Sequence, residues 1–361
     1  MVRRCDIAII GAGMAGASLA AELAGAAQVV LLEAEPQPGY HATGRSAAFW
    51  TESYGGPGVQ PLTTASGPWL REHGFLSPRG ALTVARAGQE GDLRAFASRF
   101  SALGVRVELL GREALAARVP GLRPDWMHGA FEPDCCDIDV AGLHQHYLAV
   151  ARRSGAEVWC SAQLTGARRI ASGWQLTLAD GRQLACDTIV DAAGAWADGV
   201  AQMAGAQPLG ITPYRRTIAQ VRVAPGAPVD LPLVLDIAER FYFKPEAGRL
   251  WLSPHDETPS PPCDAAPDEL DVAAAIARLE QVVDWQVERV EHQWAGLRSF
   301  APDRLPVIGF DSGEPHFFWF AGQGGFGIQT APASAKMAAR LLLGTARGEI
   351  DPGPYSPERF V

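Results

Sequence analysis

The sequence predicts a mixed α/β (α+β) fold in two lobes, and three observations predict it. A short apolar run, Cys5 to Ile10, leads straight into Gly11-Ala-Gly-Met-Ala-Gly16, then an Ala/Leu-rich stretch, then a second apolar run that ends at Glu33. Between Pro213 and Phe300 the chain reads mainly as strands, separated by a Pro-rich turn at Pro259 to Pro262. Near its end an apolar strand, a glycine-rich turn and a helix repeat the pattern of the beginning, so the chain returns to its first lobe. With 361 residues, 47% of them hydrophobic, it is too long for one ordinary core and has the apolar residues for two.

The elements follow in order. Cys5 to Ile10 is β-branched and apolar, a strand; Ala17 to Ala26 is helical; Gln28 to Glu33 (QVVLLE) is a second buried strand. Pro36 to Tyr54 is rich in Gly, Ser, Thr and aromatic residues and has no sustained periodicity at its start, which makes it a loop that touches something. Helices are predicted around Asp92 to Leu103, Gly111 to Arg118 and, more clearly amphipathic, Ala141 to Ser154, ended by Gly155. Short strands follow at Glu157 to Cys160, Arg168 to Ala171, Trp174 to Leu178 and Gln183 to Cys186, the last two joined by the hairpin signal Ala179-Asp-Gly-Arg182, and Thr188 to Val190 continues. Ile218 to Val223, Phe241 to Lys244 and Arg249 to Leu252 are strands, Leu270 to Val283 a helix. Phe317 to Ala321 is the last apolar strand, and Thr330 to Leu343 is a helix ended by Gly344.

The glycine motif carries the first chemistry. Gly11 permits the tight turn, Gly13 lets the backbone approach a pyrophosphate, and Gly16 lets helix and strand pack closely; Ala12, Met14 and Ala15 fill the turn and open the helix. The helix N-terminus offers free N–H groups and a positive dipole end to an anion. Glu33, with Ala34 behind it, lies the customary twenty or so positions on, where a carboxylate accepts hydrogen bonds from the adenosine ribose. The unit is a Rossmann-type adenine-dinucleotide site, and this fingerprint alone does not separate NAD from FAD.

Composition excludes other classes. A net charge of -9 argues against nucleic-acid binding, which needs clustered Lys and Arg. No stretch approaches the roughly 18 uninterrupted apolar residues of a membrane span. No leader is expected, because Asp6 interrupts the start and the glycine motif follows at once. The six cysteines form no CxxC pair, and reduced thiols in a cytoplasmic protein are the expectation.

Several segments beyond the glycine loop carry a family likeness: QPGYHATGRSAA at Gln37 to Ala48, DAAGAWAD at Asp191 to Asp198, FYFKPEAG at Phe241 to Gly248, EHQWAGLRSFAPD at Glu291 to Asp303 and WFAGQGGFGIQT at Trp319 to Thr330. In these the chain resembles the D-amino-acid oxidase superfamily of flavoenzymes, and within it D-arginine dehydrogenase and its D-amino-acid dehydrogenase relatives, over nearly its whole length. The resemblance implies non-covalently bound FAD in a Rossmann-type domain made of residues 1–78, 145–210 and 302–361, and a discontinuous sheet-based substrate domain of residues 79–144 and 211–301.

It also implies roles for single residues. His41, Thr43, Gly44, Arg45, Ser46, Ala47 and Ala48 would wrap the flavin or diphosphate; Leu164, Ala193, Gly194 and Trp196 would border the cofactor. Gly325, Phe326, Gly327, Ile328, Gln329 and Thr330 would reach the pyrimidine side of the flavin and set a helix N-terminus near it. Arg216 and Arg298 match positions that hold the substrate carboxylate, a task suited to the guanidinium fork. Tyr242 would add a hydroxyl, Tyr54 an aromatic wall or second hydroxyl, and the Gly324 carbonyl would accept from the substrate amine. No obligatory general base is nominated, and His41 and His292 are read as structural. Where the D-arginine enzyme has an acid facing the cationic side chain, Ser77-Pro-Arg-Gly-Ala81 places Ala81, and a pocket histidine falls at Phe49, beside Trp50. The implied pocket is apolar and aromatic, for a neutral or hydrophobic side chain.

The expected reaction is oxidative deamination of a D-amino acid through an imino acid to the 2-oxo acid, by hydride transfer to flavin N5. Alternatives are an N-substituted or cyclic amino acid (sarcosine, proline), glycine, a 2-hydroxy acid, or a non-catalytic flavin-binding subunit. The electron acceptor, oxygen, quinone or other, is encoded in no motif.

Overall fold

The computed structural model describes residues 2–23, 25–345 and 348–360. Ala24, within the stretch read as the first helix, and residues 346, 347 and 361 of the expected FAD-binding domain lie outside them.

The N-terminal strand β1 (Arg3–Ile10), the helix α1 (Met14–Glu22) and the strand β2 (Val29–Leu32) form the predicted β-α-β unit. β1 pairs in parallel with β2 on one side and with Gln183–Asp191 on the other; Glu157–Trp159 extends the sheet beyond β2, and Phe317–Ala321 pairs with Ile189 to Asp191. Strands of such a sheet are covered on both faces, which is why Val29–Leu32 is apolar at every position and buried at every position. One face packs under α1, Val140–Arg153 and Ala331–Leu342. The other packs under the helix Ala197–Ala204, and Gln183–Asp191 continues the sheet into an antiparallel meander with Gly173–Leu178 and Leu164–Ile170, whose apolar residues join the same core. The two runs read separately as Gln183 to Cys186 and Thr188 to Val190 are therefore one strand.

The second sheet is mixed and ten-stranded. Its spine is the antiparallel pair Thr212–Ala224 and Gln286–Phe300, flanked by Arg249–Ser253, Tyr242–Glu246, Leu233–Asp236, Ala81–Arg86, Trp126–Glu132 and Glu108–Gly111. The helices Arg112–Arg118 and Glu269–Val282 cover one face, over a core that includes Leu82, Val84, Ala219, Val221, Phe243 and Leu279. The opposite face looks toward the first lobe. Gln323–Gly324 leaves the first lobe and pairs with Ser299 and Phe300, so the glycine-rich turn hangs between the two sheets.

Several elements escape the sequence reading, among them the strands Ala81–Arg86, Trp126–Glu132, Leu233–Asp236 and Gln286–Phe300 and the helix Ala197–Ala204, and two more show why. Gln60–Glu72 is a helix although Gly67 and Pro68 lie inside it; packing of Leu62 and Leu70 into the first core, with Gly67 against Trp50, outweighs the weak local propensity. Phe49–Trp50 is a strand at the end of the predicted loop, paired with Cys136–Ile138 in a three-stranded sheet completed by Leu76–Pro78.

Candidate functional site

A cavity of about 470 Å³ runs between the sheets, from Glu33, Ala34 and Leu164 past Gly11, Gly13, Met14 and Ala15 to Arg216, Tyr242 and Arg298. At its nucleotide end the glycines are sterically required. A Cβ on Gly11, which has φ +99°, would lie 2.5 Å from the Ala192 carbonyl oxygen, and one on Gly16 would lie 1.9 Å from that of Gly11. Helix α1 has no side-chain cap at Gly13 and no acid in its first turn, so its positive end is open to an anion.

Glu33 is buried, with one oxygen accepting from Ala12 N (3.0 Å) and the other from Glu35 N (3.0 Å). A carboxylate has about four lone-pair sites, so these two bonds fix it and leave capacity for a ribose. Thr43 Oγ1 accepts from Met14 N at 2.9 Å, and His144, a residue the sequence reading missed, lies 2.9 Å through Nε2 from the Ala12 carbonyl. The carbonyl cannot donate, so Nε2 carries the proton; burial lowers the pKa of this histidine, and it is neutral. His41 pairs with Glu35 at 2.9 Å and packs on Trp196, with ring centroids 4.7 Å apart; both line the cavity, as do Ala193 and Gly194.

The segment 45–48 crosses to the other lobe. Arg45 lines the cavity, but its guanidinium is engaged with Asp264 and with the carbonyls of Ala265 (2.9 Å) and Ala295 (3.2 Å). The side chain thus ties the lobes together while it borders the cavity. Ser46 and Ala47 line the cavity, and Ala48 borders a smaller recess continuous in residues with it, alongside Phe49, Tyr54, Tyr242, Arg298, Gly325, Ile328 and Gln329. Cys263 and Ala265, from the loop that Arg45 grips, also line the cavity without any signal in the sequence.

The substrate end is built by register. Arg216 faces Gly296 and Arg298 faces Tyr214 across the antiparallel pair. Opposed residues, and residues two apart on a strand, share a face, so both guanidinium groups emerge on the same side and Gly296 leaves the space beside Arg216 open. Arg216 is buried; its Nε donates to the Asp256 carbonyl (2.7 Å), its Nη2 to Glu257 (3.2 Å), and its Nη1 is buried without a partner. Burial first, and then the charge of Arg298, lower its pKa from the usual arginine value. Arg298 has no carboxylate within 4.0 Å among the described residues; its guanidinium carbon lies 5.6 Å from the Tyr54 ring centre. The Tyr54 hydroxyl is also buried without a partner. Two like charges and an orphaned Nη1 at the end of the cavity, with an orphaned phenol in the adjoining recess that Arg298 and Tyr242 share, form a site shaped for an anion.

Gly324 has φ +54°, and a Cβ there would meet the Phe300 ring at 2.2 Å; one on Gly325 would meet Arg298 Cζ at 2.9 Å. The turn is thus glycine so that backbone can lie against the arginine. Gly324, Gly325, Gly327 and Ile328 line the cavity, and the helix Ala331–Leu342 begins just behind with no acid in its first turn. Gln329 is a clamp: its amide donates to the Tyr54 carbonyl (3.1 Å) and Thr63 Oγ1 (3.0 Å) and accepts from Thr51 N (3.3 Å). His255, also unforeseen, sits near Tyr242 at φ +57°; burial, Arg216 and Arg298 push its pKa down to about 2, so it is neutral.

Seven of the expected site residues reach neither the cavity wall nor the adjoining recess. Trp50 follows Phe49 on a strand, so it points the other way, into the first core, donating to the Thr63 carbonyl (3.0 Å) and stacking under Arg71. Ala81 is buried behind Phe49 and Tyr242 and forms the back of the wall. Phe326 packs on Val59 and Phe300, and the Thr330 hydroxyl bonds the Phe326 carbonyl (2.9 Å). Ala12, Gly16 and Gly44 act through the backbone turns they allow and are absent from the cavity wall. His292 stacks on Trp294, also away from the wall.

Residues 6–341 match the model of a family described as FAD dependent oxidoreductase. Among curated proteins, the hydrogen cyanide synthase subunit HcnC of Pseudomonas aeruginosa is 28% identical over 269 residues, covering 72% of this chain and 61% of that protein, so the aligned part spans about three fifths of that relative. Glycine oxidase of the same organism is 25% identical over 378 residues, covering 97% of this chain and 98% of that one. Among solved structures, glycine oxidase from Geobacillus kaustophilus superposes with a TM-score of 0.87 over 98% of both chains at 23% identity, which shows the shared fold. The residues present fit FAD: a helix N-terminus with no acid in its first turn, behind Gly11 and Gly16 that no side chain could replace, an acid one β-α-β unit on, and a cavity long enough to continue to a second lobe. No helix among the described residues is long and apolar enough to cross a membrane.

Proposed function

Given that the chain belongs to the FAD-dependent oxidoreductase family, we propose that it oxidises a small neutral amino acid, glycine or a short D-amino acid, at the α-carbon. When bound, FAD supplies the acceptor for the α-hydrogen and two electrons, and the imino acid that leaves is hydrolysed by water to the 2-oxo acid.

The protein's own groups select and align the substrate. Arg298 takes the carboxylate, with Arg216 Nη1 and the Tyr242 hydroxyl beside it, and the unpaired charge of Arg298 in this recess is the observation that carries the reading. The Gly324 carbonyl accepts from the amine in its neutral form. Phe49, Tyr54, Tyr242 and Ile218 close an aromatic and aliphatic wall that offers no acid to a cationic side chain. No side chain here is poised as a strong base: His255 is neutral, Glu257 is held by Arg216 and Arg304, and Glu132 by Thr51 and Ser53. Catalysis rests on alignment and exclusion of water.

Anaerobic mixing of the flavin-loaded protein with glycine, sarcosine, D- and L-proline, D- and L-alanine, D-methionine, D-arginine and glycolate tests this. Bleaching of the flavin by glycine or a short neutral D-amino acid, faster than by D-arginine or glycolate, is the expected result. Bleaching by none of the panel, or fastest by D-arginine, refutes it.

A further inference from the structure

The two guanidinium groups at the substrate end are not equivalent. Arg216 belongs to a linked set of ion pairs in which Glu257 also receives both a 2.9 Å and a second 2.9 Å bond from Arg304, while Asp256 lies between Arg216 (3.9 Å) and Arg215 (3.8 Å) and Arg215 also meets Asp268 and Asp271. That set holds three arginines (Arg215, Arg216, Arg304) and four carboxylates (Asp256, Glu257, Asp268, Asp271), so its positive charge is more than matched. Of these acids Asp256 is spent on the backbone N–H (2.8 Å) and hydroxyl (3.0 Å) of Thr217, which leaves Glu257 as the one that answers the Nη2 of Arg216. Arg298 makes no ion pair with any member of the set, although it lies near enough to feel the charge of Glu257.

We infer that Glu257, acting through Arg216, fixes the charge of the acid the site accepts: it neutralises the second guanidinium, so the recess takes one carboxylate and disfavours a substrate carrying two. This deepens the reading of Arg298 as the carboxylate anchor and rests on it. A second carboxylate brought beside Arg216 would have to displace Glu257 or share its arginine, and either leaves two like charges in contact. A neutral amino acid meets one free guanidinium and leaves the set intact. Glu257 is partly exposed, so its effect is moderated by solvent and is of modest size.

The test uses the flavin-loaded protein and two non-oxidisable acids, propionate and malonate, which differ by a methyl where malonate has its second carboxylate. Binding is read from perturbation of the flavin absorbance, without turnover. The natural protein is expected to bind propionate about tenfold or more tightly than malonate; Glu257→Gln should shrink that ratio about three- to fivefold, and Arg304→Gln, which leaves Glu257 to Arg216 alone, should enlarge it. A ratio unmoved by both substitutions, or a natural protein that prefers malonate, overturns the inference while leaving the carboxylate anchor standing. Failure of both acids to perturb the flavin of the natural protein overturns the anchor, and with it the role of Glu257. Should Glu257→Gln not retain flavin, the opposite shift expected of Arg304→Gln decides.

Discussion

Replacing Arg298 separates a substrate anchor from a structural arginine, because the two predict opposite effects on stability. A guanidinium fork meeting a carboxylate makes two charge-assisted hydrogen bonds, each contributing about 1.5–3 kcal/mol. Allowing for water that re-enters the recess, Arg298→Met should cost about 3–4 kcal/mol of transition-state binding, roughly 10²- to 10³-fold in kcat/KM, carried mainly by KM if the carboxylate is held equally throughout. Arg298 has no carboxylate partner among the described residues and lies close enough to Arg216 for its charge to lower the pKa of that residue, so its loss strands no acid, and the like charge it removes offsets the attraction of Tyr54, Tyr242 and Glu257 that raises its own pKa. The melting temperature should therefore hold or rise. Arg216→Met should behave otherwise: it takes the side-chain donor from the Asp256 carbonyl, leaves Glu257 to Arg304 alone, and should cost about 1–3 kcal/mol of stability as well as activity. The assays are steady-state kinetics with glycine and D-alanine, and thermal unfolding of the flavin-loaded proteins. A folded Arg298→Met variant that keeps its catalytic efficiency within about threefold, or one that melts several degrees lower, would refute the reasoning.

Gly16→Ala should give insoluble or flavin-free protein, checked by the flavin absorbance of the purified chain, since the added Cβ would lie 1.9 Å from the Gly11 carbonyl oxygen. Phe49→Ala should move the preference from glycine toward D-methionine or D-leucine by roughly tenfold in relative kcat/KM, because the ring that walls the recess beside Tyr54 and Tyr242 is gone. For His144, burial sets the folded pKa below the ordinary 6.5, so the folded form binds fewer protons and stability present above that pH is lost as pH falls through it. His144→Gln should keep the bond to the Ala12 carbonyl and flatten that acid limb, whereas His144→Ala should weaken FAD binding; titration of apoprotein with FAD at pH 5.5 and 8 reads both. Glu132, whose carboxylate is raised in pKa by burial despite bonds from Thr51 (2.9 Å) and Ser53 (2.5 Å), gives the reverse slope: stability falls as pH rises above the ordinary 4.5, and Glu132→Gln should remove that fall in melts across pH 5 to 8.

How much of this is legible in the sequence depends on how local the physical demand is. The nucleotide end is legible because its constraints lie within a few residues: a turn at φ +99°, a helix that must touch a strand, and a carboxylate one β-α-β unit on. Likewise Val29–Leu32 announces a doubly covered strand by being apolar throughout. The helix Gln60–Glu72 is illegible for the converse reason, since only its tertiary contacts offset Gly67 and Pro68. His144, Glu132, Glu257 and Cys263 give no local signal. Each matters through what a distant segment brings to it: the Ala12 carbonyl, the hydroxyls of Thr51 and Ser53, the Nη2 of Arg216, the cavity wall. Trp50 misled because an aromatic residue next to a pocket residue looks like a pocket residue, until alternation on a strand sends the two rings to opposite sides.

The substrate clamp lies between these cases, and its origin in register explains why it is both hidden and robust. Along Thr212–Ala224, Arg216 and Ile218 face the cavity, while Ala219, Val221 and Val223 enter the apolar core on the other side of the sheet. A slip of one residue would exchange these sets and drive the Arg216 guanidinium among Leu82, Phe243 and Leu279, at the cost of burying an unpaired charge, while exposing three apolar side chains. The irregularities of pairing fall at Gln220/Val221 and Arg222/Val223, beyond the site, so the stretch that opposes Arg216 to Gly296 and Tyr214 to Arg298 is unbroken. The hydrophobic pattern that folds the second lobe is thus also what aims two arginines at one recess. Substitutions in that core should therefore degrade substrate binding before they unfold the protein, through a displaced guanidinium rather than a lost contact.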